Sequence, residues 1–210
     1  MSDVPETHTA QSGSGRDGVS RTCSIILKVL SVEIAVLVVT GIALWFLYRP
    51  TGHQAWGDLV TERYTWDVGI GLGLRLVHRL ASWFAVPTAF AAGIVVALRR
   101  WQHVRRWGAT ALGCGIAVAT LAASFTGFLL PWDQLALWSV TVGSDTRGYS
   151  ILFGSTVGFA IVGGVEVSPD TIILWLLIHW LVLGSALVAL VVFAWCRARH
   201  DPEVRSIPLA

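Results

Sequence analysis

The sequence predicts an all-α integral membrane protein, a four-helix bundle with both termini in the cytoplasm. Two observations carry this prediction: four apolar runs of membrane-spanning length, and an uneven distribution of Lys and Arg. Of the 210 residues, 54% are hydrophobic and only 13% charged, too few for the polar shell of a soluble domain. A hydrocarbon core of about 30 Å needs about 20 apolar residues in a helix. Runs at about 24–48, 72–98, 109–130 and 171–195 meet that requirement. Ten of the 15 basic residues fall on one side, in the N-terminal tail, the loop between spans two and three, and the C-terminal tail. By the positive-inside rule that side is cytoplasmic.

The elements follow in order. Residues 1–22 are polar and rich in Ser and Gly, and they read as a disordered cytoplasmic tail. No apolar segment with a cleavage site precedes the first span, so that span is expected to remain as an anchor. The transmembrane domain is expected over 23–198, with a second cytoplasmic tail at 199–210. The first loop, beginning at Arg49, is polar and punctuated by Pro50, Gly52 and Gly57. The second is short, which makes spans two and three antiparallel neighbours. The third, 131–170, is long and external. Within it, 150–164 is apolar but too short to span, and is expected to lie on the outer surface or cover the bundle. Seven tryptophans, Trp45, Trp56, Trp66, Trp101, Trp107, Trp132 and Trp138, fall at predicted interfaces, as an aromatic belt would. Cys23, Cys114 and Cys196 lie in the cytoplasmic halves or ends of spans, where a disulfide is not expected. The slight positive charge follows from topology and calls for lipid, not nucleic acid, as partner.

Six histidines occur, but only His78 and His179 lie inside spans. His8, His53, His103 and His200 fall in tails, loops or flanks. The two membrane histidines sit roughly 10 Å below the same surface, at 1.5 Å of rise per residue. Two imidazoles at one depth on two helices can ligate a metal from opposite sides, as axial ligation of haem iron requires. The alternative is ordinary interhelical hydrogen bonding. Spacing alone leaves both open.

The motifs around these residues are more specific. TGIALWFLYRPT from Thr40, GLRLVHRLAS from Gly73, TGFLLPWDQLALWSV from Thr126 and IHW from Ile178 occur in that order. The set resembles the N-terminal four-helix region of the cytochrome b and cytochrome b6 family, over about 24–197. That family supplies the quinol-oxidising, haem-carrying subunits of the bc1 and b6f complexes. The resemblance implies that His78 and His179 are the outer pair of haem ligands. It also implies that Arg75 pairs with a haem propionate, with Arg79 as a weaker candidate for the same role. Gly41 and Gly127 match glycines that let helices one and three approach the macrocycle.

The departures matter as much. The family's inner ligands lie about four turns, roughly fourteen residues, farther along each helix. Here those positions are Ala92 and Phe193 or Ala194, which cannot bind iron. The corresponding helix-one glycine falls near Leu27, although Gly113 keeps its place on helix three. One haem b is therefore expected, with the inner cavity filled by side chains. Both ligating imidazoles are expected to be neutral, each oriented by an acceptor at its second nitrogen.

Glu33 lies within span one. An intramembrane carboxyl is a candidate proton site or cation partner. A subunit contact or snorkelling toward the inner face is the preferred reading. Asp133 and Gln134 sit at the outer end of span three; Asp133 is a candidate for the rim of a quinol pocket, but a helix-end and loop contact is preferred. The expected function is an electron-transfer subunit of a quinol-linked respiratory complex, a carrier component and not a stand-alone enzyme. Quinone or quinol is a further possible ligand. Implied partners are a Rieske-type or cytochrome c-type protein, or a subunit IV-like membrane chain carrying the later helices and PEWY-type loop that quinol oxidation uses. Two alternatives stand beside it: a haem-free scaffold that keeps the fold, and one half of a split quinol–cytochrome c reductase.

Overall fold

The computed structural model describes residues 7–52, 54–55, 68–101, 107–144, 162–163 and 167–200. Helix α1 is Thr7–Trp45, α2 is Val68–Trp101, α3 is Trp107–Leu129, and α4 is Gln134–Ser144. Helix α5, Pro169–Leu177, continues through a π-helical stretch, Ile178–Gly184, into α6, Ser185–His200. Four windows are long and apolar enough to cross a membrane: Arg21–Trp45, Gly71–Leu98, Trp107–Leu129 and Pro169–Arg199. They match the four runs read from the sequence to within a few residues. The protein is thus an all-helical, multi-pass membrane bundle.

The backbone is helical from Thr7, inside the stretch expected to be a tail. Once a long apolar helix is nucleated, adding residues at its end costs little, so a polar extension can follow it. The apolar window itself begins at Arg21. The 150–164 segment lies outside the described residues except for Val162 and Gly163, as do the loop histidines His53 and His103.

Neighbouring helices pack in sequence order, α1 on α2 and α2 on α3, while α3 meets the π stretch and α6, and α6 returns to α1. Outward side chains such as Val32, Val39, Phe84, Val118 and Phe193 are exposed, as a lipid-facing surface requires. Lipid is as apolar as Leu, so burial alone does not hold such helices together; close packing and interhelical hydrogen bonds do. Both are present. A Cβ placed on Gly113 of α3 would come within 3.2 Å of Gly93 Cα on α2, so those backbones meet where only glycine fits. Trp195 Nε1 on α6 donates to Ser31 Oγ on α1 at 2.7 Å, and Ser31 donates on to the Leu27 carbonyl. Ser82 Oγ donates to Ser124 Oγ, joining α2 to α3. Tyr48 Oη donates to the Leu130 carbonyl at 2.6 Å, tying the end of α1 to that of α3.

Helix α4 is not in the sequence reading, which takes 131–170 as loop. Its start is nonetheless encoded. Asp133 Oδ1 accepts the Ala136 backbone N–H at 2.8 Å, an N-terminal cap. The chain turns into it through Trp132, whose φ of 52° is unusual for a bulky residue. Strain of this kind costs about 1–3 kcal/mol and persists where surroundings fix it. Here Trp132 packs against a buried cluster of Leu129, Ala136, Val140 and Val162. Asp133 is accordingly a helix-end contact, as preferred, while Gln134 is exposed.

Gly113→Leu is expected to lower the thermal stability of the detergent-solubilised protein. Gly115→Leu is expected to leave it nearly unchanged, since a Cβ there meets nothing within 4 Å. A thermal-shift comparison of the two variants measures the difference.

Candidate functional site

His78 and His179 face one another across the bundle, with ring centroids 6.3 Å apart and ring planes at 65°. Each is held by a threonine on the helix beside it. Thr40 Oγ1 on α1 lies 2.8 Å from His78 Nδ1, and Thr126 Oγ1 on α3 lies 2.9 Å from His179 Nδ1.

These contacts select a tautomer. A hydroxyl has one proton and can donate once. Thr40 Oγ1 is 2.6 Å from the Val36 carbonyl, and Thr126 Oγ1 is 3.0 Å from that of Ala122; carbonyls can only accept. Each threonine therefore donates to its own helix and accepts from the histidine. Nδ1 thus carries the proton on both histidines, and Nε2 keeps its lone pair for a metal.

A glycine follows each threonine. A Cβ on Gly41 would lie 3.3 Å from His78 Cε1, and one on Gly127 would lie 2.9 Å from His179 Cε1. A side chain at Gly127 would force the His179 ring to move, and one at Gly41 would press on the His78 ring. The site is built twice from one device: a Thr-Gly pair on α1 holds the histidine of α2, and a Thr-Gly pair on α3 holds the histidine of the π stretch.

A cavity of about 1460 Å³ surrounds the histidines, reaching Trp45 and Pro131 at one end and Ile34, Thr120 and Val192 toward the other. Arg75 lines it one turn beyond His78 on the same face of α2. Arg79 also borders it, but its guanidinium sits over the Trp83 ring, 4.9 Å from the centroid. That stacking engages Arg79 elsewhere, because one residue past His78 the helix has turned by about 100°. Trp45 and Trp180 stack beside the opening, with centroids 4.8 Å apart. Asp133 and Tyr48 belong to its rim.

Beyond the cavity, the far end of the opposite half is packed. Leu30, Ala89, Ile116, Leu187 and Val191 form a buried cluster, with Ala194 and Trp195 packed against it. Phe193 points outward, 56% exposed. Gly113, the one residue that keeps an inner-haem position, is in contact with Gly93 instead.

The donor set discriminates between metals. Among the described residues no group of three or more His, Cys, Asp or Glu could hold a bare ion. A structural zinc needs four protein ligands, whereas haem brings its own equatorial nitrogens and asks only for axial partners. With metal–imidazole bonds of about 2.0–2.1 Å, two trans imidazoles have ring centres about 6 Å apart, in agreement with the observed pair. The residues present therefore fit a haem.

Thr40 and Thr126 are functional residues that the sequence reading passed over. The signal was available: TG occurs in both motifs at matching places. Glu33 is partly buried. Its Oε1 lies 3.1 Å from Thr88 Oγ1 of α2, a polar contact between the two helices. A side chain near mid-span is too short to reach an interface and turns to the neighbouring helix instead.

Comparison with known proteins follows this geometry. The family model described as Cytochrome b/b6/petB matches residues 20–199. The cytochrome b6 of Heliomicrobium gestii is 26% identical over 192 residues, covering 88% of this chain and 87% of the relative. That of Porphyra purpurea is 28% identical over 155 residues, covering 74% and 71%. Among solved structures, a chain of a hyperthermophilic respiratory complex III superposes with a TM-score of 0.66 at 20% identity. It covers 90% of this chain, which spans 48% of that one; at this identity the likeness is one of fold.

Gly127→Ala is expected to displace the His179 ring and to reduce haem occupancy more than Gly41→Ala does, following the closer contact at Gly127. Haem absorbance per protein, compared between the two purified variants, is the measurement.

Proposed function

The chain belongs to the cytochrome b/b6 family, and from that premise we propose that it is a membrane electron-transfer subunit carrying one haem b between His78 and His179. The observation that carries the reading is the facing imidazole pair, 6.3 Å between centroids, with each Nδ1 committed to a threonine. The bound haem would supply one-electron exchange between ferric and ferrous iron. The protein's part is to hold both rings neutral, aligned and rigid, so that little rearrangement accompanies a change of charge.

Arg75 is the residue suited to a propionate, since it lines the cavity on the histidine face of α2. Arg79 has a weaker claim because of its stacking on Trp83. One haem is favoured over two by the side chains that pack the far end of the opposite half and by the absence of donors at Ala92, Phe193 and Ala194. The basic residues argue that both termini are cytoplasmic and that the haem lies near the outer face. A single haem there exchanges electrons with quinol in the outer leaflet or with a partner subunit, Rieske-type or cytochrome c-type. It does not relay them across the bilayer. A second reading is one half of a split quinol-oxidising enzyme, in keeping with the cytochrome b6 chains this chain resembles. A subunit IV-like partner would then carry the remainder.

The test is a pyridine haemochrome assay with reduced-minus-oxidised spectra on purified protein. One haem b per chain is expected, lost in His78→Ala and in His179→Ala. Two haems per chain overturn the single-haem reading. None, in protein made with ample haem, leaves the scaffold reading.

Thr126→Val is expected to weaken haem retention by about 10–100-fold and to raise the midpoint potential. Donation from Nδ1–H makes the imidazole a stronger donor to ferric iron, and the variant removes the hydroxyl that accepts it. Redox potentiometry against the wild type measures the shift.

A further inference from the structure

Apart from Asp170 in the first turn of α5, Glu33 is the only acidic residue within the four spans. It lies twelve residues from each end of the Arg21–Trp45 span, about 18 Å from either. No side chain with two methylenes crosses that distance to water. An ionised carboxylate in such a place needs a cation.

None reaches it. Glu33 Oε2 is buried without a hydrogen-bond partner. Its sequence neighbours Leu30 and Ile34, and Ala89 next to Thr88, are buried apolar residues. Other titratable groups on the packed helices stand apart. Lys28 is exposed more than a turn away on α1, Cys114 is exposed on α3, and His78 is ten residues along α2 from Thr88 and engaged with Thr40.

The remaining contact supplies the chemistry. Thr88 Oγ1 is 3.1 Å from Glu33 Oε1 and 2.9 Å from the Phe84 carbonyl. The threonine has one proton and faces two acceptors. Both contacts become hydrogen bonds when Glu33 carries a proton: the carboxyl donates to Thr88, and Thr88 donates to Phe84. We propose that Glu33 and Thr88 form a proton-binding site at the middle of the membrane, in which Glu33 is held as a neutral carboxylic acid.

The site lies seven residues along α1 from Thr40, about 10 Å from the threonine that grips His78. An electron arriving between the histidines adds a negative charge across apolar protein, where fields are weakly screened. The carboxyl group responds by changing the strength of its hydrogen bond to Thr88. This coupling rests on the haem reading proposed above; the proton site does not.

Infrared spectroscopy of the full chain in lipid vesicles tests both. At neutral pH the wild type should show a protonated-carboxyl carbonyl band that shifts in heavy water. The band should be missing in Glu33→Gln and moved in frequency in Thr88→Val. Ionised-carboxylate bands for Glu33, or a spectrum that Glu33→Gln leaves unchanged, overturn the site. In protein shown to carry haem, the band should shift between oxidised and reduced samples, and no shift overturns the coupling. Protein lacking haem still decides the site through the static spectrum, so the two failures are distinguishable.

Discussion

An imidazole in a hydrocarbon medium must find a partner for its N–H, and the site is organised around that requirement. Two threonines answer it. Each turns its proton onto its own helix and offers its oxygen to a histidine, so proton placement on the ring is fixed before any metal is present. The glycine after each threonine follows from the same contact, since the ring occupies the space a Cβ would take. The crossing of α1 on α2 and of α3 on the π stretch is therefore set by a hydroxyl, a ring and a missing methyl. Bulk apolar attraction, which lipid would satisfy equally well, plays a smaller part.

The two halves of the bundle are built on different principles. The histidine half keeps a large cavity, polar at its rim, with aromatic and cationic side chains around the opening. The far end of the other half is packed with aliphatic side chains, and that half is pinned by the glycine contact between α2 and α3 and by the Trp195–Ser31 bond. On the proposed reading, electrons have no redox group to occupy in that second half. Its polar side chains include Ser31, Thr120 and the Glu33 carboxyl. A bundle that insulates against electrons on one side while keeping a protonated group at its centre separates the two charges in space.

Much of this was legible in the sequence. The four spans, the all-helical class, the two membrane histidines and Arg75 as a cavity residue follow from composition, depth and motif order. What was missed has physical reasons. Helix α4 is eleven residues long, below membrane length, and its start rests on a single capping carboxylate within an apolar run. The π stretch around His179 leaves no mark in residue types, because one extra residue per turn is a property of backbone packing. The roles of Thr40 and Thr126 depend on which way a hydroxyl points, and periodicity does not report that.

The duplicated Thr-Gly device also bears on how the molecule comes together. One histidine and its threonine belong to the α1–α2 pair, while the other set belongs to α3 and the helix that ends in α6. A group grasped by both rings would act as a fastener between two separately made halves. Membrane insertion could then complete each pair in turn, and capture of the group would register one against the other. Binding to the assembled state alone would also protect it, by mass action, against falling apart. Cofactor supply would in that way govern how long the protein survives in the membrane, independently of any electron it carries.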